Sequence, residues 1–282
     1  MVELAANTGF CFGVKRSVDM VNDLLTKGRQ VYTLGEIIHN RQVCENLKLK
    51  GVKIVNELEI SKLSSEVNLI FRSHGVGRDV YNMCRKFKVK YFDATCPFVK
   101  KIHEIVFQHS NQGRIILIVG DKNHPEVKAI QKYCVGEVFV FLNFDLILEF
   151  LKRTRGLFTL VAQTTYSDYL WTQGVQKIAN FSNVKIFKTI CNSTIKRQKS
   201  AMELAKKVDF MVVVGDRKSS NSKKLFELCS KFCRSCFVED KLEFDSVLER
   251  NLHGGRIGIA AGASTPPEVV KDIFSFLKCL FD

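Results

Sequence analysis

The sequence predicts an α/β protein of three similar α/β lobes, with mainly parallel sheets in a pseudo-threefold arrangement around a central cleft. Three observations lead there. Short apolar runs of strand length alternate with amphipathic stretches of helical period, the pattern of βαβ units. A cysteine in similar surroundings opens each third of the chain: Gly9-Phe10-Cys11-Phe12-Gly13, Asp93-Ala94-Thr95-Cys96-Pro97 and Thr189-Ile190-Cys191-Asn192-Ser193. The intervals Cys11 to His39, Cys96 to His124 and Cys191 to Ser219 are all 28 residues, and self-similarity of this kind marks a repeated structural unit. The lobes are expected at 1–95, 96–190 and 191–282.

Each element follows from local pattern. In the first lobe Val14, Val18 and Val21 share one helical face, which predicts a helix from Cys11 to about Lys27. A strand at 30–34, a polar loop with His39-Asn40, a helix at 41–50 and strands at 53–55 and 68–71 follow, the last running into Ser73-His74-Gly75. The second lobe repeats the order. Val99, Ile102 and Val106 mark a helix from Cys96 to about Gln108, then come a strand at 114–119 and the loop Gly120-Asp121-Lys122-Asn123-His124-Pro125-Glu126. A helix at 126–133, a strand at 137–142, a helix near 146–152 and a strand at 157–162 lead to Gln163-Thr164-Thr165. The third lobe has a helix from Cys191 to Lys207, a strand at 210–214 and a loop holding Ser219-Ser220-Asn221-Ser222. Its helix at 223–231 and strands at 236–239 and 256–260 end in Gly262-Ala263-Ser264-Thr265-Pro266. In parallel sheets ligand groups gather beyond the carboxyl ends of the strands, so these loops are where a site is expected.

The totals set bounds. At 282 residues, 46% hydrophobic and 26% charged with four prolines, the chain is of ordinary globular composition and long enough for two or three lobes. A net charge of +14 suits either an anionic partner or a lysine-rich solvated surface. No nucleic-acid motif or aromatic-interleaved basic ribbon favours a nucleic-acid partner. Residues 1–7 lack a basic segment followed by a long apolar one, and apolar runs such as 115–119 fall far short of a bilayer span. A cytoplasmic protein without membrane contact is expected.

Ten cysteines in such a chain point to thiolate or metal chemistry rather than a disulfide scaffold. A thiolate just ahead of a helix is stabilised by unpaired N–H groups and the macrodipole. Cys11, Cys96 and Cys191 could therefore converge on an iron–sulfur centre in the cleft; four cysteines would close a cubane, whereas three leave one iron open. Cys44, Cys84, Cys134, Cys229, Cys233, Cys236 and Cys279 fall on expected helices or core-like strands and read as small buried hydrophobes. Cys229, Cys233 and Cys236 do show the C-x3-C-x2-C spacing of radical S-adenosylmethionine enzymes, but on a helix and a late strand rather than in a wrapping loop.

His39, His74 and His124 all fall at expected strand exits, which favours a shared anion site. Imidazolium groups with the hydroxyls of Ser219, Ser220 and Ser264 and the amide of Asn221 would suit a diphosphate. The run Ser219-Ser220-Asn221-Ser222 also reads as a capped helix start whose free N–H groups face an anion. Glu126, behind Pro125, is either a dipole-friendly first-turn acid or a general acid, with Thr164 and Thr165 placed to relay its proton.

Eight segments in this order resemble the LytB family of 4-hydroxy-3-methylbut-2-enyl diphosphate reductases. They are Gly9-Phe10-Cys11, Glu36-Ile37-Ile38-His39-Asn40, Ser73-His74-Gly75, Asp93-Ala94-Thr95-Cys96-Pro97, His124-Pro125-Glu126, Gln163-Thr164-Thr165, Ser219-Ser220-Asn221-Ser222 and Gly262-Ala263-Ser264. The resemblance implies a 4Fe–4S cluster on Cys11, Cys96 and Cys191, its open iron taking the substrate's allylic hydroxyl. It implies that Glu126 donates the proton with which that oxygen leaves, supported by His124 and Thr164. His39, His74, Ser219, Ser220, Asn221 and Ser264 would hold the diphosphate, with His124 and Thr164 also lining the substrate. Isopentenyl and dimethylallyl diphosphates would result, the last step of the non-mevalonate isoprenoid pathway, with electrons from a donor such as ferredoxin or flavodoxin. Asn7-Thr8 before the first motif and Ser193, where an alanine is common, depart from the family pattern. A non-catalytic iron–sulfur sensor or basic RNA-binding protein is the competing reading; it would show salt-dependent nucleic-acid affinity and no diphosphate site.

Overall fold

Twelve strands arranged as three four-stranded sheets, every pairing parallel, are seen in the computed structural model, which describes residues 1–244 and 255–281. Residues 245–254 and 282, within the third expected lobe, lie outside the described residues. The first sheet holds β2 (Val31–Leu34), β3 (Lys53–Val55), β4 (Asn68–Phe71) and β5 (Lys90–Asp93) in the order β3-β2-β4-β5. The second holds β6 (Ile115–Val119), β7 (Val138–Phe141), β8 (Phe158–Ala162) and β9 (Val184–Ile186) in the order β7-β6-β8-β9. The third holds β10 (Phe210–Val214), β11 (Arg234–Val238), β12 (Ile257–Ala261) and β1 (Val2–Leu4) in the order β11-β10-β12-β1. The first two orders are the same, and the third follows them except that β1, from the start of the chain, takes the outer place, so the threefold repeat seen in the sequence is a repeat of sheet order.

By contacts the chain forms two compact units, one of Met1–Lys15, His39–Glu45 and Asn192–Asp282, the other of Arg16–Ile38 and Asn46–Cys191. The third sheet lies in the first of these and the other two sheets in the second. This differs from the expected lobes, which counted residue 1 onward with the first sheet. β1 instead extends the third sheet, pairing Val2 with Ile257 and Leu4 with Ile259. Three residues carry too little periodicity to mark a strand, and one that pairs along a single edge takes its place from its neighbour. The edge strands β5 and β9 and the helices after Gly77 and Ser167 escape a reading of periodicity for similar reasons of shortness and exposure.

The helices that position the loops are α1 (Phe12–Thr26), α2 (Arg41–Leu49), α3 (Arg78–Lys86), α4 (Pro97–Asn111), α5 (Pro125–Gln131), α6 (Phe144–Arg153), α7 (Asp168–Lys177), α8 (Asn192–Ala205), α9 (Ser220–Cys229) and α10 (Pro267–Phe281). A strand sends successive side chains to opposite faces, and central strands covered on both sides are apolar throughout. In β10, Val212 and Val214 pack with Val270, Ile273 and Leu277 of α10, while Met211 and Val213 pack with Ala201 and Leu204 of α8 and Leu225 of α9. In the second sheet Ile116, Ile118 and Val161 meet Ile102 and Val106 of α4 and Val127 and Ile130 of α5. Such sandwiching stiffens the strands whose exits carry the polar groups.

Candidate active site at the strand exits

Each of the three cysteines follows an edge strand and stands immediately before a helix: Cys11 between β1 and α1, Cys96 between β5 and α4, Cys191 between β9 and α8. Each is anchored by the same hydrogen bond. The Cys11 N–H donates to Ala263 O at 3.0 Å, Cys96 N–H to Ser73 O at 2.9 Å and Cys191 N–H to Thr164 O at 3.0 Å. Ala263, Ser73 and Thr164 are the second residues past β12, β4 and β8. The three side chains are half-buried, and the cysteines form no disulfide.

The rival cysteine set does not gather. Cys229 ends α9 and packs with Cys233 on one face of the third sheet, whereas Cys236, in β11, packs on the other. Burial pushes the Cys229 and Cys236 thiols up to about 12, so both are neutral where they pack.

In the unit of Arg16–Ile38 and Asn46–Cys191, Glu126, Thr164, His124 and His74 come together. Glu126 sits in the first turn of α5 and is only 2% exposed. Thr164 donates its N–H to Oε1 at 2.7 Å and its hydroxyl to Oε2 at 2.6 Å. Burial outweighs these two bonds and lifts the Glu126 carboxyl to about 7. His124 caps α5 by accepting the Glu126 N–H at Nδ1, 3.2 Å. That bond uses Nδ1 as an acceptor, which leaves Nε2 as the ring's N–H. The His74 ring stands edge-on to it, 5.2 Å between centroids. Gly75 makes that loop possible: its φ is +82°, and a Cβ there would lie 2.8 Å from His103 Cε1.

The other unit gathers the hydroxyl and amide groups. Ser219 caps α9, its Oγ accepting the Ser222 N–H. Ser220 opens that helix, and Ser264 donates its hydroxyl to His39 O at 2.8 Å. Asn221 is 3% exposed, yet neither atom of its amide has a hydrogen-bond partner among the described residues. An unsatisfied buried amide is costly, and it marks a place where an incoming acceptor and donor would be welcome.

Sequence reasoning passed over three side chains that organise these loops. Asp216, buried, accepts the Arg41 N–H at 2.7 Å and the Lys218 N–H at 2.6 Å, tying the β10 exit to the start of α2. Asp121 accepts the Asn123 N–H at 2.8 Å, and Gln163 Oε1 accepts the Asp121 N–H at 3.0 Å. The signal was present: Gly35-Glu36, Gly120-Asp121 and Gly215-Asp216 follow β2, β6 and β10, which hold the same place in the three sheet orders. A cavity of about 320 Å³ in the two-sheet unit, among Arg78, Tyr81, Asp93, Lys100, His103 and Tyr133, includes none of the expected site residues.

A three-sheet α/β protein that presents cysteine, histidine and hydroxyl groups at repeated strand exits is the class these features define. Residues 2–278 match the family model described as LytB protein, and the chain belongs to the LytB family. It is 40% identical over 283 residues to the 4-hydroxy-3-methylbut-2-enyl diphosphate reductase of Thermoanaerobacter sp. (strain X514), covering 98% of this chain and 96% of that one. The enzyme of the same name from Clostridioides difficile is 39% identical, with 99% of each chain covered. Among solved structures, the Plasmodium falciparum E-1-hydroxy-2-methyl-but-2-enyl-4-diphosphate reductase superposes with a TM-score of 0.89 at 26% identity, over 99% of this chain and 88% of that one. A second, described as the terminal enzyme of the non-mevalonate pathway, is 36% identical with a TM-score of 0.69 over 98% of each chain.

Proposed function

We propose that the chain catalyses reductive dehydroxylation of (E)-4-hydroxy-3-methylbut-2-enyl diphosphate to isopentenyl and dimethylallyl diphosphates. One C–O bond breaks, two electrons and two protons are taken up, and the oxygen leaves as water. The observation that carries this reading is Thr164. Its N–H and hydroxyl hold the two oxygens of Glu126, and its carbonyl accepts the Cys191 N–H. A carboxyl poised near neutrality is thereby built onto the strand exit that fixes a cysteine, the combination that a proton-coupled reductive cleavage requires.

Cys11, Cys96 and Cys191 are the residues proposed to hold a 4Fe–4S cluster. The donor set fits: three thiols at equivalent positions, each ahead of a helix and each with its backbone fixed, suit soft three-sulfur ligation. When bound, the cluster supplies the electrons and a Lewis-acidic vertex. Glu126 supplies the proton that departs with oxygen, because at about 7 its carboxyl still carries that proton near neutral pH. The Thr164 hydroxyl orients it, and His124 offers its Nε2–H to the substrate. Asn221, Ser219, Ser220, Ser264, His39 and His74 are proposed to bind the diphosphate, the buried amide of Asn221 gaining the partners it lacks. A ferredoxin- or flavodoxin-like protein is proposed as electron donor.

The test is single-turnover and steady-state reduction of the allylic diphosphate by anaerobically reconstituted protein with a low-potential reductant. Formation of both isoprenoid diphosphates is expected. Protein with a full complement of iron that leaves the substrate untouched would refute the assignment.

A further inference from the structure

The loops that end in Cys11 and Cys96 share a feature that the proposed reaction does not use. Arg197, in α8, is 3% exposed. It donates from Nη1 to Ala261 O at 2.7 Å and from Nη2 to Gly9 O at 2.8 Å. Ala261 ends β12, and Gly9 is the left-handed residue, φ +77°, two before Cys11. Together with the Cys11 N–H bond to Ala263, the guanidinium fixes the Gly9-Phe10-Cys11 turn against the sheet from both sides. Arg16, in α1, repeats the device in the other unit. Its two terminal nitrogens donate to Asp93 O and Thr95 O, each at 3.2 Å, on the segment leading into Cys96. The third loop is held by a neutral group, Thr189, whose hydroxyl donates to Ala162 O at 2.6 Å and accepts the Ala162 N–H at 2.8 Å.

We propose that Arg197 and Arg16 are positioning residues for the loops of Cys11 and Cys96, a proposal that rests on the cluster reading above. The planar guanidinium fork reaches two carbonyls in fixed directions with little loss of freedom, and it keeps its charge when buried. Each arginine therefore does two things: it fixes the backbone that carries its cysteine, and it holds a positive charge on that cysteine's loop. Reduction adds negative charge there, so a fixed cation raises the reduction potential.

The two contributions separate experimentally. Iron per chain after anaerobic reconstitution, the spectrum of the reduced centre and its midpoint potential are measured for Arg197→Met, Arg197→Lys and Arg16→Met, with Cys11→Ser as reference. Arg197→Met is expected to bind several-fold less iron and to hold the remainder at a more negative potential. Arg197→Lys keeps charge without the fork, so it should show the iron deficit with a potential close to the parent's. Arg16→Met, at a half-buried residue, should show the same direction of change, and it serves if Arg197→Met fails to fold. Parental iron content and potential in the methionine variants, with iron lost in Cys11→Ser, would overturn the clamp alone. Full iron content in Cys11→Ser would instead overturn the cluster reading on which it stands. A purely structural role would lower thermal stability and leave the potential unmoved.

Discussion

Glu126 and Asn221 are both buried polar side chains at the start of a helix, α5 in one compact unit and α9 in the other, but they are furnished in opposite ways. Both oxygens of Glu126 are filled by Thr164, and the carboxyl is held near neutrality by its surroundings. Neither amide atom of Asn221 is bonded among the described residues. A preorganised acid needs all its neighbours before substrate arrives, so that its proton affinity is already set. An anion cradle, the role proposed for Asn221, must keep partners vacant, and it tolerates the cost of doing so. The repeated fold thus hosts a completed group at one strand exit and an incomplete one at its counterpart.

The comparison is broken most severely by removing a sulfur from the completed region. Cys96→Ser is expected to fold, as followed by far-ultraviolet circular dichroism, with its iron–sulfur absorbance impaired and turnover abolished; full activity would end the ligand assignment. Next in size, Glu126→Gln should keep the absorbance and lose about 10²- to 10⁴-fold in turnover, the range of a general acid. An unchanged rate would remove Glu126 from the mechanism.

Asn221→Ala tests the vacant side. It should raise KM by about tenfold, on the scale of one lost charge-assisted hydrogen bond. Stability without substrate should be unchanged or higher by up to about 1 kcal/mol, because an unsatisfied amide is removed. A large loss of stability with unaltered KM would make the residue structural.

The pH dependence sharpens the other side. The native carboxyl of Glu126, at about 7, binds its proton more tightly than in the unfolded chain. Stability contributed by the protonated form is therefore present below about pH 4.5 and lost as pH rises through 7, by about 3 kcal/mol in all. His103 acts in the opposite sense: burial lowers it to about 4, so the stability it contributes is present above 6.5 and lost as pH falls from 6.5 to about 4. The two offset each other between roughly pH 4.5 and 6.5, so the informative quantity is the difference in unfolding free energy between parent and Glu126→Gln. That difference should change steadily from pH 4.5 to 7 and be flat above; a flat line throughout would mean an ordinary carboxyl. The smallest effect is expected at Cys233→Ala, with stability within about 0.5 kcal/mol of the parent and absorbance unaltered.

Much of this was legible in the residues. The spacing of Val99, Ile102 and Val106 foretold α4, and the apolar run at 210–214 foretold β10 to the residue. The 28-residue interval placed His124 and Ser219 in like loops after a strand; that each caps the helix that follows is a finding of the structure. Three edge strands, β1, β5 and β9, were not legible, having only three or four residues and pairing on one side only, although β3, equally short and also at an edge, was expected at 53–55. Nor was the pairing of β1 with β12, for sequence separation scarcely affects which edge a strand joins once the sheet exists.

The sequence by itself determined the periodic elements, their threefold order and the residue types at each strand exit, because those depend on side-chain pattern and local backbone preference. Tertiary structure alone decided which of these groups became chemically distinct. Glu126 is lifted to about 7 by what packs around it, and Arg197 meets Gly9 across 188 positions of chain. Asn221 is left unsatisfied by what does not reach it. Proton affinity, charge placement and hydrogen-bond vacancy are properties of an environment, and an environment exists only when distant segments have come together.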